Sequence, residues 1–227
     1  MRGAVRRVEY GHSGSAAWTL KAVLWDLDGT LVDSDPLWVA AERHCAESHG
    51  VVWSEELSLR MTAAPLPVCA KVLQDAGVQL DAAVIINALV ADVTAMYGDD
   101  VPWTPGAWDV LTELRRHGIP SVLVTGSPFS LASRVVAAAP EGAFAGIVSG
   151  DDDIPHKPDP APYLRGARLA GVPAADCLVF EDSASGVASA LAAGAHAIGL
   201  NACARTPLPS DAGYPVLDSL RDFRLRE

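Results

Sequence analysis

The stretch AVLWDLDGT, residues 22–30, places two aspartates, Asp26 and Asp28, directly after a run of four apolar residues. Neighbouring carboxylates repel each other and lose solvation when buried, so this position is costly unless partners lie nearby. Two plainer interpretations stay open from the stretch alone. Asp-Gly-Thr is common turn chemistry, and Asp-x-Asp could begin a calcium loop, although Leu31 then stands where such loops need glycine. Residues elsewhere in the chain decide between these interpretations.

Further apolar runs, each bounded by turn residues, predict more strands. They are SVLVT (121–125), GIVSG (146–150), CLVF (177–180) and HAIGL (196–200). Continuous apolar character, rather than alternation, is typical of strands that are covered on both faces of a parallel sheet. Helix-like segments separate the runs, at 106–117, 130–139, 160–170 and 185–193. Alternating strands and helices predict an α/β fold with a doubly wound, Rossmann-like parallel sheet.

Residues 35–103 interrupt this alternation with helical patterns such as DAAVIINALVADVTAMYG, residues 81–98. A chain of 227 residues is long enough for one main domain with a smaller inserted module. We therefore predict an N-terminal extension over residues 1–20, which we expect to be poorly ordered. The α/β core domain would comprise residues 21–34 and 104–227, and residues 35–103 would form an inserted α-helical cap domain.

The composition limits the classes of binding partner that are compatible with this chain. The formal net charge is −11, with 28 acidic against 17 basic residues, which argues against nucleic acid or an anionic membrane as a partner. A small phosphorylated substrate stays compatible, because a metal ion and a few local cations can hold a phosphate. The four scattered cysteines indicate buried thiols rather than a disulfide framework or a zinc site. We expect a cytoplasmic protein, since neither a signal peptide nor a long apolar segment is found. We also expect a monomer.

Polar residues follow the predicted strands at the points where ligands bind in open α/β sheets. Thr125 and Gly126 follow the second strand, Lys157 lies in HKPDP after the third, and Glu181 and Asp182 follow the fourth. Each alone has a plainer explanation, as a helix start or a solvated lysine, but their joint occurrence favours one shared polar site. Clustered carboxylates without an arginine cluster suggest a hard divalent cation such as Mg²⁺. Thr125, the Gly126 amide and Lys157 can surround phosphate oxygens.

These motifs together resemble the haloacid dehalogenase-like (HAD) superfamily, in its phosphatase and β-phosphoglucomutase branch with a helical cap after the first strand. The similar segments are DLDGT (26–30), VLVTGS (122–127), HKPDP (156–160) and VFEDSASGVASALAAG (179–194). The resemblance covers roughly residues 21–220, and the four motifs together are highly specific. It implies that the cap closes over the site and supplies selectivity.

The resemblance also implies roles for individual residues. Asp26 would be the nucleophile that forms an aspartyl-phosphate, and Asp28 the general acid and base. Mg²⁺ would be held by Asp26, the backbone carbonyl of Asp28 and Asp182, with Glu181 supporting it directly or through water. The phosphate-binding residues would be Thr125, Gly126 and Lys157.

The expected function is therefore Mg²⁺-dependent hydrolysis of a small phosphomonoester, such as a sugar phosphate or similar metabolite. A sugar phosphomutase of the β-phosphoglucomutase kind is the nearest alternative. The cap stretch RMTAAPLPVCAK (60–71) lacks the glycine and following arginine with which those mutases grip a second phosphate, and Thr30 stands where they often carry Val or Ile. Both departures favour a phosphatase. A HAD-like domain used for binding or regulation without turnover is a further alternative, but the complete set of chemical groups argues against it.

Overall fold

The computed structural model describes residues 7–10, 14–16, 19–62, 64–97, 100–204, 206–211 and 213–226. The chain divides into two compact units, one formed by Met1–Asp33 with Trp103–Glu227 and the other by Ser34–Pro102. Among the described residues, no helix combines the length and the apolar character that a membrane-spanning segment needs.

The first unit contains a six-stranded parallel sheet. Its strands are β3 (Ala22–Trp25), β4 (Ser121–Val124), β5 (Phe144–Val148), β6 (Cys177–Glu181), β7 (His196–Leu200) and β8 (Val216–Leu217). They lie in the order β5-β4-β3-β6-β7-β8. From β3 the chain builds outward through β4 and β5, then returns to the other side of β3 with β6. This order confirms the predicted doubly wound α/β fold and places the topological switch point between β3 and β6.

Both central strands are buried over their whole length. Every residue of β3 and of β6 is buried, as expected for apolar runs covered on both faces, and so is every residue of the neighbouring β4. The helices of this unit are α5 (Ala107–Arg116), α6 (Phe129–Ala138), α7 (Ala161–Ala170) and α8 (Ala184–Ala192). In α5, Val110, Leu111 and Leu114 are buried, while the last turn carries Arg115 and Arg116 near the negative end of the helix dipole.

A second, three-stranded antiparallel sheet belongs to the same unit and was missed by the sequence interpretation. Its strands are β1 (Arg7–Tyr10), β2 (Gly14–Ala16) and β9 (Phe223–Arg226), in the order β2-β1-β9. Strands β1 and β2 lie within residues 1–20, the extension that we expected to be poorly ordered; over these two stretches the structure differs from that expectation. The other residues before 19 lie outside the described part of the chain. Short strands whose partner is more than two hundred residues away leave little local signal.

The second unit contains the helices α1 (Asp35–Ser48), α2 (Glu55–Met61), α3 (Leu66–Ala76) and α4 (Ala82–Met96). Helix α4 packs on α1 and α3. Its buried residues, Ile85, Leu89 and Val93, recur every fourth position and so lie on one face of the helix. Ser54 caps α2, since its side chain accepts a hydrogen bond from the Leu57 amide at 3.1 Å.

The points where the chain leaves and re-enters the first unit lie side by side. Val32 and Trp103 form an antiparallel bridge. The Thr104 amide donates to the Leu31 carbonyl at 2.9 Å, and its hydroxyl donates to the Thr30 carbonyl at 2.7 Å. The intervening segment can therefore be inserted without disturbing the sheet, because its two ends are held together next to β3.

Candidate active site

The polar residues that follow the central strands converge at the carboxyl edge of the parallel sheet. Asp26 follows β3 directly, and its amide donates to the Phe180 carbonyl of the neighbouring strand β6 at 3.1 Å. Glu181 is the last residue of β6, and Thr125 follows β4. Asp26, Thr125 and Glu181 are all buried. The structure thus brings together side chains that the sequence separates by up to about 155 residues.

Lys157 lies between two of these carboxylates. Its Nζ donates to Asp26 Oδ1 at 2.6 Å, to Glu181 Oε1 at 2.6 Å and to the Val124 carbonyl at 2.9 Å. The ammonium also lies 5.0 Å from the centre of the Tyr163 ring, within range of a cation–π interaction. Three donors and three oxygen partners satisfy the ammonium in this buried position.

Glu181 is 1% exposed and is held at both oxygens. Oε1 accepts from the Tyr163 hydroxyl at 2.6 Å, in addition to Lys157. Oε2 accepts from the Ser183 amide at 3.2 Å and from the Ser183 hydroxyl at 3.0 Å. That hydroxyl in turn accepts from the Gly186 amide and so caps α8. Glu181 is therefore held by Tyr163 of α7 and by Ser183, the residue that caps α8.

Three carboxylates form a group that could hold a metal ion. One oxygen each of Asp26, Glu181 and Asp182 lies within 4.8 Å of the other two. Thr30 Oγ1 donates to Asp182 Oδ1 at 3.4 Å. Gly29 has a φ of 79°, and a Cβ added there would overlap with Asp182 Oδ2. Only glycine suits this position, both for its backbone conformation and because the carboxylate lies against it.

Asp28 is held by a residue from the next strand end. The Ser127 hydroxyl donates to Asp28 Oδ2 at 2.6 Å. The Ser127 amide donates to Thr125 Oγ1 at 2.9 Å, and the Thr125 amide donates to the Val148 carbonyl at 2.9 Å. Gly126 lies between the two hydroxyl residues. The structure thus places Thr125 and Gly126 in one tight turn beside Asp28.

The surroundings of Asp26 and Lys157 shift the pKa values of both side chains. Burial raises the pKa of the Asp26 carboxyl to about 7, the charges of Glu181 and Asp28 add to this, and Lys157 opposes it. Burial alone would lower the pKa of Lys157, but the charges of Asp26 and Glu181 outweigh it and raise that pKa above its usual value. Lys157 therefore keeps its proton, and its contact at 2.6 Å favours the carboxylate form of Asp26.

Three residues of this site were absent from the predicted set. Ser127 and Ser183 each stand next to a predicted residue in a motif, as hydroxyls at the start of a helix, which the sequence cannot distinguish from ordinary caps. Tyr163 lies inside α7, and nothing in the sequence distinguishes it from a core aromatic residue. Only the packing of α7 against β4 and β5 brings its hydroxyl to Glu181.

The acidic residues after β5 have partners outside the carboxylate group. Asp151 Oδ2 accepts from the Phe129 amide at the start of α6 at 2.7 Å. Asp152 lies 2.9 Å from Arg165 Nε. His156, next to Lys157, is exposed. Asp151 therefore caps α6, and Asp152 forms an ion pair with Arg165 of α7. Both aspartates lie in the loop between β5 and α7, which also carries Lys157.

Comparison with known proteins identifies the family. A family model described as haloacid dehalogenase-like hydrolase matches residues 20–194. The chain is 35% identical over 211 residues to hexitol phosphatase A of Escherichia coli K12, covering 89% of this chain and 93% of that protein. It is 31% identical over 181 residues to the phosphorylated carbohydrates phosphatase of Thermotoga maritima, covering 79% of this chain and 84% of that protein.

A solved structure agrees with these sequence relatives. The crystal structure of CbbY from Rhodobacter sphaeroides in complex with phosphate superposes with a TM-score of 0.75, at 26% identity, over 88% of this chain and 95% of that chain. The family match spans β3 through α8, the elements that carry all the site residues described above. The chain therefore belongs to the haloacid dehalogenase-like hydrolase family, as an enzyme of the phosphoric monoester hydrolase class.

Proposed function

We propose that this enzyme hydrolyses a small phosphomonoester, a sugar phosphate or a similar metabolite, with Mg²⁺ and through an aspartyl-phosphate on Asp26. The observation that carries the proposal is the contact of Asp26 with a buried lysine inside a group of carboxylates at the switch point of the sheet. The sugar is supported by relatives named hexitol phosphatase and phosphorylated carbohydrates phosphatase. The monomeric state and the cytoplasmic location stay predictions from the sequence.

The donor set fits Mg²⁺. Asp26, Asp182 and Glu181 offer carboxylate oxygens within 4.8 Å of one another, and hard oxygen ligands are what this ion prefers. Asp26 and Asp182 would hold it with the backbone carbonyl of Asp28. Because both oxygens of Glu181 already accept hydrogen bonds, Glu181 would support the ion from its present position or through water. When bound, the ion would neutralise charge on the phosphoryl oxygens.

The chain's own residues supply the rest of the chemistry. In the first step an Asp26 oxygen forms a bond to phosphorus while the bond from phosphorus to the leaving oxygen breaks, and Asp28 gives that oxygen its proton. In the second step Asp28 takes a proton from water, the water oxygen bonds to phosphorus, and the bond to Asp26 breaks. Lys157 offsets the repulsion between Asp26 and the phosphoryl dianion. Thr125 and the Gly126 amide donate to the phosphoryl oxygens.

The test is a screen of the purified chain against sugar and smaller phosphomonoesters, with Mg²⁺ and then with excess EDTA. We expect inorganic phosphate to be released with Mg²⁺ and not with EDTA. Asp26→Asn should abolish release while the thermal unfolding midpoint stays close to that of the unchanged chain. An Asp26→Asn variant with full activity would contradict the role of Asp26 as nucleophile.

The same screen separates the alternatives. Conversion of a sugar 1-phosphate to its 6-phosphate without free phosphate would show a phosphomutase instead. Binding of a phosphorylated metabolite without any turnover, with Mg²⁺ present, would show a binding or regulatory protein. Release of phosphate without stimulation by a sugar bisphosphate is the result that we expect.

A further inference from the structure

Ser127 is a buried residue that the proposed chemistry leaves without a role, yet its hydroxyl contacts the proposed acid and base. The side chain is 5% exposed, and its Oγ donates to Asp28 Oδ2 at 2.6 Å. That distance lies in the range of strong hydrogen bonds from a hydroxyl to a carboxylate. The two residues come from different strand ends, 99 positions apart in the chain, so the contact depends on the tertiary fold.

The backbone of Ser127 is fixed on both sides. Its amide donates to Thr125 Oγ1 at 2.9 Å, and its carbonyl accepts from the Gly150 amide at 2.8 Å. A Cβ on Gly150 would overlap with the Gly126 carbonyl oxygen, so the turn and the end of β5 are in close contact. The Ser127 hydroxyl is therefore presented to Asp28 from a rigid position, which a surface serine would not provide.

We propose that Ser127 is a positioning residue that holds the Asp28 carboxyl group in one orientation while it gives and then takes a proton. This inference rests on the proposed function, since it assigns a role within that reaction. A hydroxyl both donates and accepts, so Ser127 can stay bonded to Asp28 whether or not Asp28 carries the proton. Without the hydroxyl, Asp28 Oδ2 loses the hydrogen bond that fixes its orientation, and both proton transfers lose alignment.

The test compares two probes whose leaving groups differ in their need for a proton. p-Nitrophenolate leaves without protonation, whereas the alkoxide of glycerol 2-phosphate needs a proton from Asp28. With Mg²⁺ and p-nitrophenyl phosphate, Ser127→Ala should keep the rate of the initial p-nitrophenolate burst within about twofold. Its steady-state rate should fall about 10- to 100-fold, because water attack still needs Asp28 as base. With glycerol 2-phosphate, phosphate release should fall at least as much.

Two variants serve as controls. Ser127→Thr keeps the hydroxyl and should restore most of the lost rate. Ser121→Ala removes another buried serine hydroxyl, at the opposite end of β4, where it accepts from Trp25 Nε1 at 3.0 Å. Because Ser121 has no contact with Asp28 among the described residues, its variant should keep both rates within about twofold. If Ser127→Ala does not fold, Ser127→Cys, which keeps the shape with a weaker donor, takes the same measurements.

Several outcomes would overturn the inference. Unchanged rates in Ser127→Ala, an equal fall of burst and steady state, or no recovery in Ser127→Thr would each show that Ser127 does not position Asp28. In an Asp28→Asn background, Ser127→Ala should change the residual rate less than it does in the unchanged chain, and full additivity would also contradict the inference. Absence of hydrolysis by the unchanged protein would overturn the proposed function, and this inference with it.

Discussion

Lys157 Nζ donates to Asp26 Oδ1 at 2.6 Å, although the two residues are 131 positions apart in the chain. The same ammonium donates to Glu181 Oε1, so one cation lies between carboxylates from the neighbouring strands β3 and β6. A buried pair of this kind is costly to desolvate and weak evidence for stability by itself. Its placement at the switch point of the sheet supports the role in charge balance that we propose for Lys157.

Lys157→Ala removes the cation that touches Asp26. We expect the rate of phosphate release to fall by about 10²–10³, because loss of one preorganised donor to a developing charge typically costs that much. Lys21→Ala is the matched control, since Lys21 forms an exposed ion pair with Asp176 at the other end of β3. That variant should stay within about twofold. Steady-state kinetics on both variants check this, and a Lys157→Ala enzyme as fast as the unchanged chain would remove Lys157 from the chemistry.

Gly29→Ala tests the metal group without removing a charge. A Cβ there would overlap with Asp182 Oδ2, so the Asp182 carboxylate must leave the position in which it lies within 4.8 Å of Asp26 and Glu181. Gly194→Ala is the control, because Gly194 has nearly the same φ, 78° against 79°, with no heavy atom within 4 Å of the added Cβ. Each substitution costs about 1–2 kcal/mol of backbone strain.

Only the Gly29 variant should bind Mg²⁺ more weakly. Isothermal titration with MgCl₂ measures this directly, together with the Mg²⁺ concentration that gives half-maximal activity. Equal Mg²⁺ affinity in Gly29→Ala and Gly194→Ala would show that Asp182 is not needed to hold the ion.

Tyr163→Phe removes a buried donor to Glu181 and nothing else. The free energy of unfolding should fall by about 1–3 kcal/mol, because a fully buried carboxylate loses one of its hydrogen bonds. Tyr214→Phe is the control, since the Tyr214 hydroxyl has no hydrogen-bond partner in the described ranges; it should change the stability by less than about 0.5 kcal/mol. Urea denaturation of both variants measures the difference, and equal effects would contradict the role of the Tyr163 hydroxyl.

The cysteines should differ in reactivity. Burial raises the pKa of the Cys69 and Cys177 thiols to about 12, and it also raises the pKa of Cys45. Because the thiolate is the reactive form, raising the pH from about 7 to about 9 should leave Cys69 and Cys177 unmodified by iodoacetamide in the folded protein, and buried Cys45 should react more slowly than Cys203. Cys203 is only partly buried and should react first. Peptide mass spectrometry checks this order, with urea-unfolded protein, in which all four should react, as the control.

Much of the parallel sheet could be predicted from the sequence. The apolar runs of β3, β4, β6 and β7 begin at the predicted residues, because strands buried on both faces need continuous apolar character, which is a local signal. The run at 146–150 was placed two residues too late, since β5 begins at Phe144, which is only partly buried, and its second residue, Ala145, is exposed. The pairing of β1 with β9 could not be predicted, because these two short strands are more than two hundred residues apart in the chain.

The sequence by itself determined which chemical groups the site contains: Asp26 and Asp28 after one strand, Lys157 in a proline-flanked loop, and Glu181 with Asp182 after another. That was sufficient because parallel strands bring their carboxyl ends to one edge of a sheet, whatever the details of packing. Only the tertiary structure decided which groups touch. Tyr163 reaches Glu181 through the packing of α7, and the Ser127 hydroxyl donates to Asp28 across two strand ends. Hydrogen bonds act over about 3 Å, a distance that no spacing in the sequence specifies.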